Sequence, residues 1–465
     1  MPCFEPQSAN QFSRRAALQI GTGLFGLSLP SYLKASQLAG SQTKGNDVSC
    51  IFIFLAGGIS HFESWDPKPD APEGIRGLWN PISTNVPGTF ITEKLPLMAQ
   101  RMNKVALIRS WQGKTGSHSG GSQHVASGLY PASGKQLFPN FGNLVSALLG
   151  TKQSGVAPHV GLPVAVRYTD PPAYLGPSFA AYNIGGDPSS KDFELESLTM
   201  PRGRFDLRRN LLGQIDNLGR LAEQNGNLLS AHEGFQEEAF ATLTSGAMQK
   251  AADLSTEPLE LRERYGNNIY GQRVLLARRL IEAGSRFVTI NQAVQGGLFG
   301  SGKTNGTWDN HGWLFDSMMS FANRPDAVPA GKKWHSCPSP GNLPQLDMSL
   351  STLLDDLDEK GMLDNTLVVV MGEFGRTPKI NKTAGRDHYP RAGSVLMAGG
   401  GVKGGAVIGA TTPDGSLPAT RPWTPENFGA SIYHALGLPP DSTYYPRQPR
   451  PIKISDGEVI EGLFG

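Results

Sequence analysis

The 465-residue sequence has almost no excess charge and few cysteines. It carries 42 basic and 40 acidic residues, a formal charge of +2, and this balance gives no basis for nucleic-acid binding. Three cysteines exclude a disulfide-dense scaffold, and we interpret Cys50 as a buried apolar residue at the start of a strand. No stretch reaches about 18 apolar residues, so we expect no membrane span in the mature protein.

An arginine pair near the N-terminus predicts export. The segment Ser13–Leu18 reads SRRAAL, and a Gly-rich, moderately apolar stretch follows to about Leu33. This order is typical of a twin-arginine signal, so we expect residues 1–45 to engage the twin-arginine translocation machinery and to lead to the periplasm or the exterior. The alternative is an amphipathic surface helix.

A predicted buried strand that ends in an acid gives the clearest chemical signal. Leu367–Met371 is a continuous Val-rich apolar run, typical of a strand buried on both faces of a parallel sheet. The preceding segment, Asp347–Gly361, has apolar residues at helical spacing. Gly372 and Glu373 follow the strand. Because ligands bind beyond the carboxyl ends of strands in open α/β sheets, Glu373 is a candidate ligand or catalytic group.

The same succession of helix and strand recurs along the chain. Further strands are predicted at Cys50–Ala56, Val105–Ile108, Arg286–Asn291 and Ser394–Ala398, and further helices at Tyr270–Ala283 and Thr424–Leu436. We therefore predict an α/β fold with a mostly parallel central sheet and helices on both faces. Residues 46–465 would form one domain, with a helical and loop insertion at about 155–260. Within it, Val164–Tyr168 is strand-like and Leu207–Ala222 is helical.

Histidines and acids follow several of these strands. His61 and Asp66 come after the first strand, and Asp309 and His311 lie in the loop that follows Arg286–Asn291. Asp and His two residues apart in such a loop can both reach one metal ion. The alternatives are that Asp66 caps a turn before Pro67 and that Asp309 forms an Asx-turn beside a surface His311.

The segment Asp364–Val369, DNTLVV, resembles the late helix–strand element of sulfatases and other alkaline-phosphatase-like enzymes. The resemblance implies that Glu373 is a metal ligand and that His388 is a late ligand. The residue after the acid, His or Asn in that superfamily, is Phe374 here and cannot bind metal, although Asp387 beside His388 can compensate. The implied fold is alkaline-phosphatase-like.

Two longer motifs resemble a family of exported, sulfatase-like proteins of unknown function. That family is marked by GGxSHxDxxDPK and GEFGRTP, which correspond here to residues 57–68 and 372–378. The first aspartate of the pattern is replaced by Glu63. In the same family a WD-x-H pattern matches Trp308–His311.

A serine at the start of a helix is the expected nucleophile. The superfamily places its Ser or Thr there, and Ser119 and Ser122 are the candidates, with His118 as a catalytic neighbour. A helix N-terminus suits an anionic phosphate or sulfate. The alternative is that these serines only cap the helix. Arg376 and Arg386 are candidates to hold the substrate anion in a bidentate manner.

The sequence lacks the formylglycine motif C-x-P-x-R, and Cys337–Gly341 is its nearest approach. A conventional sulfatase mechanism is therefore excluded. We predict an exported metal-dependent hydrolase of sulfate or phosphate esters, acting on a small molecule or a polysaccharide. Mixed histidine and carboxylate ligands favour zinc or manganese over calcium. The alternative is a non-catalytic exported binding protein on a sulfatase-like fold. The predicted ligand set is His61, Asp66, Asp309, His311, Glu373, Asp387 and His388.

Overall fold

The computed structural model describes residues 47–130, 137–166, 169, 172–193, 195, 241–242, 245–292, 308–312, 341–444 and 451–465. The predicted export signal and the predicted helix Leu207–Ala222 lie outside these residues. None of the described helices is long and apolar enough to span a bilayer.

The described strands are β1 (Ser49–Phe54), β2 (Pro81–Ser83), β3 (Phe90–Thr92), β4 (Val105–Trp111), β5 (His159–Leu162), β6 (Tyr182–Asn183), β7 (Phe287–Asn291), β8 (Thr366–Met371), β9 (Gly375–Arg376), β10 (His388–Tyr389), β11 (Gly393–Ala398), β12 (Val407–Ile408), β13 (Thr443–Tyr444) and β14 (Ile452–Lys453). The described α-helices are α1 (Pro96–Ala99), α2 (His118–Ser127), α3 (Phe141–Leu149), α4 (Ala247–Ala252), α5 (Leu259–Tyr265), α6 (Ile269–Ala283), α7 (Asn342–Glu359) and α8 (Pro425–Ala435).

Eight of the described strands form one sheet in the order β12-β4-β11-β8-β1-β7-β5-β6. Neighbouring strands are parallel, except that β11 runs antiparallel to both β4 and β8. Helices α2, α6 and α7 lie between strands of this sheet in the sequence, as connections between parallel strands require. The predicted α/β class with a mostly parallel sheet is confirmed.

The central strand β1 is buried on both faces, and all six of its residues are inaccessible. Ile51 and Ile53 belong to the main apolar core together with Val274 of α6 and Leu353 of α7. On the opposite face Phe52 packs edge-on against Phe141 of α3, with ring centroids 6.1 Å apart. Continuous hydrophobicity, rather than alternation, is therefore what this strand needs.

The described part of the predicted strand Val164–Tyr168, residues 164–166, is not a strand, and residues 167 and 168 lie outside the described residues. The strand in this region is β5, His159–Leu162, and it ends before Pro163, which has no N–H for a further ladder bond. Both β5 and β6 lie within the predicted insertion, yet they extend the central sheet beyond β7.

The strand directions bring five loops to one edge of the sheet. The chain leaves β1, β4, β7 and β8 at their carboxyl ends, and it enters the antiparallel β11 at the same edge. The polar residues that follow or precede these strands are therefore placed together.

The described residues between 47 and 440, with 455–465, belong to one compact unit, and the described residues between 441 and 454 belong to a second. In the described part of the smaller unit, β13 and β14 pair in antiparallel fashion.

Candidate metal centre

The loop after β1 lies directly against Asp309. Gly57 has φ +107°, and a Cβ at this position would lie 2.3 Å from the backbone nitrogen of Asp309. A Cβ on Gly58, with φ +82°, would lie 2.5 Å from the carbonyl oxygen of Phe374. Both positions need glycine, because a side chain would be strained and would also overlap its neighbours.

Three histidines, His118 at the start of α2, His311 in the loop after β7 and His388 in β10, are oriented in the same way. Nδ1 of His118 lies 2.8 Å from Oε1 of Glu373, and Nδ1 of His311 lies 2.8 Å from Oδ1 of Asp387. Nδ1 of His388 lies 2.7 Å from the carbonyl oxygen of Gly116. A carboxylate or carbonyl acceptor assigns the proton to Nδ1. In the neutral form of each ring, Nε2 then carries the lone pair that can face a cation.

The Nε2 atoms of these histidines converge on Asp309. Nε2 of His118 lies 3.4 Å from Oδ2, while Nε2 of His388 and of His311 lie 2.9 and 3.2 Å from Oδ1. The Nε2 atoms of His311 and His388 are 2.8 Å apart. Ligands at about 2.0–2.1 Å from a tetrahedral zinc ion would be about 3.3 Å apart, so a small expansion of this cluster would fit such an ion.

Among the described residues, His118, Asp309 and His388 form the group whose donor atoms all lie within 4.8 Å of one another. Their side chains are 14–20% exposed, so the cluster opens toward solvent. His311 is 47% exposed and stands at its rim. The donor set of imidazoles and a carboxylate fits a divalent transition metal.

The surroundings of Asp309 keep its carboxylate ionised. Burial alone would raise its pKa, but the close imidazoles of His118 and His388 and the charge of Arg376 hold that pKa far below its usual range. Burial would lower the pKa of His118, and hydrogen bonds to Asp309 and Glu373 outweigh it and raise the pKa to about 9. The pKa of His388 is lowered, chiefly by burial. A cation bound here would replace the proton of His118.

Glu373 stands behind His118 rather than beside Asp309. Both its carboxylate oxygens accept from the backbone N–H of Gly57, at 2.9 and 3.0 Å, and Oε1 also faces His118. Because the imidazole of His118 lies between Glu373 and Asp309, direct metal ligation by Glu373, as predicted, is replaced by an orienting contact.

Arg376 is fully buried and its donors are satisfied inside the protein. Its guanidinium donates to the carbonyl oxygens of Gly57 and Gly58, to that of Arg386 at 2.9 Å and to Oδ1 of Asp309 at 2.6 Å. This corrects the prediction that Arg376 holds a substrate anion. It links three loops of the site instead.

Arg386 is equally inaccessible. It forms an ion pair at 2.8 Å with Glu63, and both side chains are 0% exposed. Its remaining donors reach the carbonyl oxygens of Ile75, Thr377 and Pro378. An anion-binding role for Arg386 is therefore also corrected, because substrate cannot reach it.

His61 and Asp66 lie outside the cluster. His61 is 0% exposed, its Nε2 faces the carbonyl oxygen of Gly415 at 3.0 Å, and burial lowers its pKa to about 4. Asp66 accepts from the hydroxyl of Thr411 and pairs with Lys68 at 3.0 Å. Both were predicted as ligands, and both instead stabilise the long loop after β1.

The two predicted nucleophiles differ in accessibility. Ser119 is exposed in the first turn of α2, next to His118, and its Oγ lies 3.2 Å from Oγ of Ser117. Ser122 lies in the next turn and is only 2% exposed. Gly128 ends the helix in the left-handed conformation, φ 68°.

Phe374 packs beside the histidines. Its ring centroid lies 4.1 Å from that of His388 and 5.2 Å from that of His118, and the side chain is 2% exposed. It walls the cluster with an apolar surface and supplies no donor atom.

Some groups that hold the histidines of the site in place could not be recognised from the sequence. The carbonyl of Gly116, which fixes His388, is a backbone group that any residue could provide. The carbonyl oxygen of His311 accepts from Nδ2 of Asn381 and from the hydroxyl of Thr383, at 2.9 and 2.7 Å. These residues are visible only once the loops are assembled.

Fold and site together define an α/β protein with a histidine–aspartate cluster at the carboxyl edge of its sheet. The chain belongs to the family described as "Protein of unknown function (DUF1501)", whose profile matches residues 47–464. A comparison with curated proteins gave no match.

Several solved structures are similar in chain path. The lipoteichoic acid synthase LtaP from Listeria monocytogenes is 9% identical, with a TM-score of 0.39, covering 91% of this chain and 80% of that one. Ps i-CgsB in complex with k-i-k-neocarrahexaose is 10% identical, with a TM-score of 0.34 and coverage of 84% and 72%. The sulfatase PsFucS1 from Pseudoalteromonas sp. is 11% identical, with a TM-score of 0.32 and coverage of 88% and 70%. Likeness at this level says nothing about the reaction.

Proposed function

We propose that this protein is an exported metal-dependent hydrolase of sulfate or phosphate esters. The observation that carries the proposal is the shared orientation of His118, His311 and His388. Each Nδ1 is fixed by an acceptor, so that the Nε2 atoms gather around Asp309. Histidine ligands of metals are typically fixed in this way.

The cation would be held by His118, Asp309 and His388, with His311 able to complete the set. This donor chemistry favours zinc or manganese over calcium. When bound, such a cation polarises an ester oxygen and makes a nearby hydroxyl or water more acidic.

The chain's own residues supply position and charge. Glu373 and Asp387 orient His118 and His311, while Arg376 keeps Asp309 ionised and in place. Ser119 is the better placed nucleophile, because it is exposed at the N-terminus of α2, where the helix dipole favours negative charge. Ser122 is buried, and a water molecule is the alternative attacking group.

The substrate is an ester of a small molecule or a polysaccharide. The twin-arginine motif at Arg14 and Arg15 supports export through the twin-arginine machinery to the periplasm or the exterior. No membrane span and no nucleic-acid partner are proposed for the mature protein.

A non-catalytic binding protein is the second candidate, and two observations favour it. Phe374 places an apolar ring beside the cluster, and both arginines predicted to hold an anion are buried and engaged. The site would then bind a cation without turning over an ester.

The test combines metal content with turnover. Purified protein is expected to retain about one zinc or manganese ion and to hydrolyse a nitrophenyl phosphate or sulfate. His388→Ala should lose both properties. His434→Ala is the matched control, because His434 is an exposed histidine on α8, against Phe464.

Metal without turnover on either ester would favour the binding protein. Equal metal content in the wild type and in His388→Ala would overturn the site itself.

A further inference from the structure

Helix α6 carries three arginines, Arg273, Arg278 and Arg279, which differ in their ion-pair partners. Arg278 is fully buried and pairs with Asp356 at 2.8 Å, with Glu257 at 2.9 Å and with Glu282 at 2.5 Å. Arg279 pairs with Glu257 at 2.5 Å. Buried guanidinium groups normally have such partners.

Arg273 is the exception. Its side chain is 1% exposed, and its Nη2 donates to the carbonyl oxygen of Gly186 at 3.0 Å. Its Nε and Nη1 have no hydrogen-bond acceptor in the part of the chain that the structure describes. A guanidinium has five N–H donors, so most of the hydrogen-bonding capacity of Arg273 is unused.

The acid whose charge affects Arg273 is Asp187, and this carboxylate is hydrogen-bonded to Ser189. Asp187 interacts with it only through space, and Oδ1 of Asp187 accepts from the backbone N–H and the hydroxyl of Ser189, at 2.9 and 2.7 Å. Burial lowers the pKa of Arg273 more than Asp187 and Tyr270 raise it. Among the residues that the structure describes, no counter-charge is in contact with this buried guanidinium, and a buried charge without one is costly.

The surroundings suit an anion. Arg273 lies one turn inside the N-terminus of the 15-residue helix α6, where the helix dipole is positive. Gly186 follows β6, and Gly185 and Gly186 are both exposed, so only a thin layer separates the guanidinium from solvent. This place is at the carboxyl edge of the sheet, on the β6 side of β1.

We propose that Arg273 binds an oxyanion, a phosphate, sulfate or carboxylate group, beneath the Gly185–Gly186 turn. The anion would supply the acceptors and the negative charge that the described residues do not provide. The ligand is a free inorganic ion or the anionic group of a larger molecule. This site is separate from the His118–Asp309–His388 cluster and does not depend on the proposed hydrolysis.

The test follows the thermal stability of the full chain as inorganic phosphate is added at constant ionic strength, balanced with chloride. The wild type should show a saturable rise in Tm, because a ligand that binds only the folded state stabilises it. Arg273→Met should weaken apparent phosphate binding at least tenfold. The comparison is repeated in the His388→Ala background, where phosphate bound at the candidate metal centre contributes less, and the loss caused by Arg273→Met should persist there.

A second pair of variants tests the missing counter-charge directly. In phosphate-free buffer, Arg273→Met should fold with a Tm equal to or above that of the wild type. Arg278→Met should be much less stable, because it leaves the carboxylate of Asp356 buried without its cationic partner, whereas Glu257 keeps Arg279. Repeating the titration with glucuronate and a sugar phosphate separates the ligand sources. Tighter binding of either identifies a larger ligand, and phosphate alone identifies a free ion.

Two results would overturn the proposal. One is an equal phosphate response in the wild type and in Arg273→Met. The other is failure of Arg273→Met to fold in phosphate-free buffer, since the fold would then depend on a partner for Arg273 within the chain.

Discussion

Substituting Glu373 with glutamine separates an orienting role from direct ligation. In the wild type, Oε1 accepts from both Gly57 and His118, whereas Oε2 accepts from Gly57 alone. A glutamine with its oxygen in the Oε1 position keeps both of the Oε1 contacts. Its amide nitrogen then faces the N–H of Gly57, and the negative charge behind His118 is lost.

The expected loss of metal affinity follows from that charge. A carboxylate behind a ligating imidazole makes the imidazole a stronger donor, and losing such a partner typically costs about 10–100-fold in metal affinity. That range corresponds to about 1.4–2.7 kcal/mol. Glu373→Gln should therefore still bind one cation, but more weakly, whereas His388→Ala should bind none.

The measurement is a competition titration between the protein and a chelator of known affinity. Glu426→Gln is the matched control, because Glu426 also pairs with a histidine of α2, His124 at 3.0 Å, outside the cluster. That control should leave metal affinity unchanged. The reasoning is refuted if Glu373→Gln loses the metal as completely as His388→Ala, which would make Glu373 a ligand. It is equally refuted if affinity does not change.

Three further predictions concern stability. Gly57→Ala should lower the free energy of unfolding by about 2–5 kcal/mol, because the new Cβ meets both a positive φ and the backbone of Asp309. The control is Gly74→Ala, at φ +83° with nothing within 4 Å, which should lower it by only about 1–2 kcal/mol in urea unfolding. Arg386→Met should cost about 3–5 kcal/mol, because Glu63 is left buried and unpaired, and Glu63→Gln in the same chain should restore part of it. Burial lowers the pKa of His159 to about 3, so the unfolded chain binds its proton first and stability falls as the pH drops below about 6.5. Between pH 7 and 5 this amounts to about 2 kcal/mol, and His159→Gln should remove that part of the pH dependence; an unchanged slope would contradict the assignment.

The sequence was informative wherever an element has a continuous or helical apolar pattern. Tyr270–Ala283 was predicted helical and the structure has Ile269–Ala283, and Leu367–Met371 lies within Thr366–Met371. The predicted start of α7 at Asp347 is five residues late, because Asn342, Pro344 and Gln345 do not show the apolar spacing that marks its later turns. Residue type indicated local structure reliably when burial was uniform along the element.

Strand β5 could not be predicted from an apolar pattern. His159 and Gly161 interrupt the apolar pattern, so the more hydrophobic Val164–Tyr168 was preferred. In the structure the imidazole of His159 is buried and bonded to Asn143 and Thr289, at 2.9 and 3.2 Å. A polar residue can occupy a core strand when tertiary partners satisfy it, and a single sequence does not show those partners.

In the candidate site too, the sequence predicted the position of residues better than their contacts. Sequence placed Asp309, His311 and His388 on the correct edge, since strand ends determine edges. It did not distinguish a ligand from the group that orients it, as with Glu373. Nor did it distinguish an accessible arginine from one enclosed by carbonyl groups, as with Arg376 and Arg386. Both distinctions depend on which side of a loop faces the interior.

The enclosed arginine also explains why the site holds its shape. Arg376 donates to the carbonyl oxygens of Gly57, Gly58 and Arg386. These hydrogen bonds connect the loop after β1 to the segment that carries His388. It also donates to the carbonyl oxygen of Trp308 and to Oδ1 of Asp309, the oxygen that His388 and His311 also approach. A buried guanidinium fixed by backbone carbonyls therefore sets both the position and the charge of the carboxylate around which the histidines gather. Arg376, which the sequence suggested would hold a substrate anion, therefore supports Asp309 of the candidate metal centre from inside the protein.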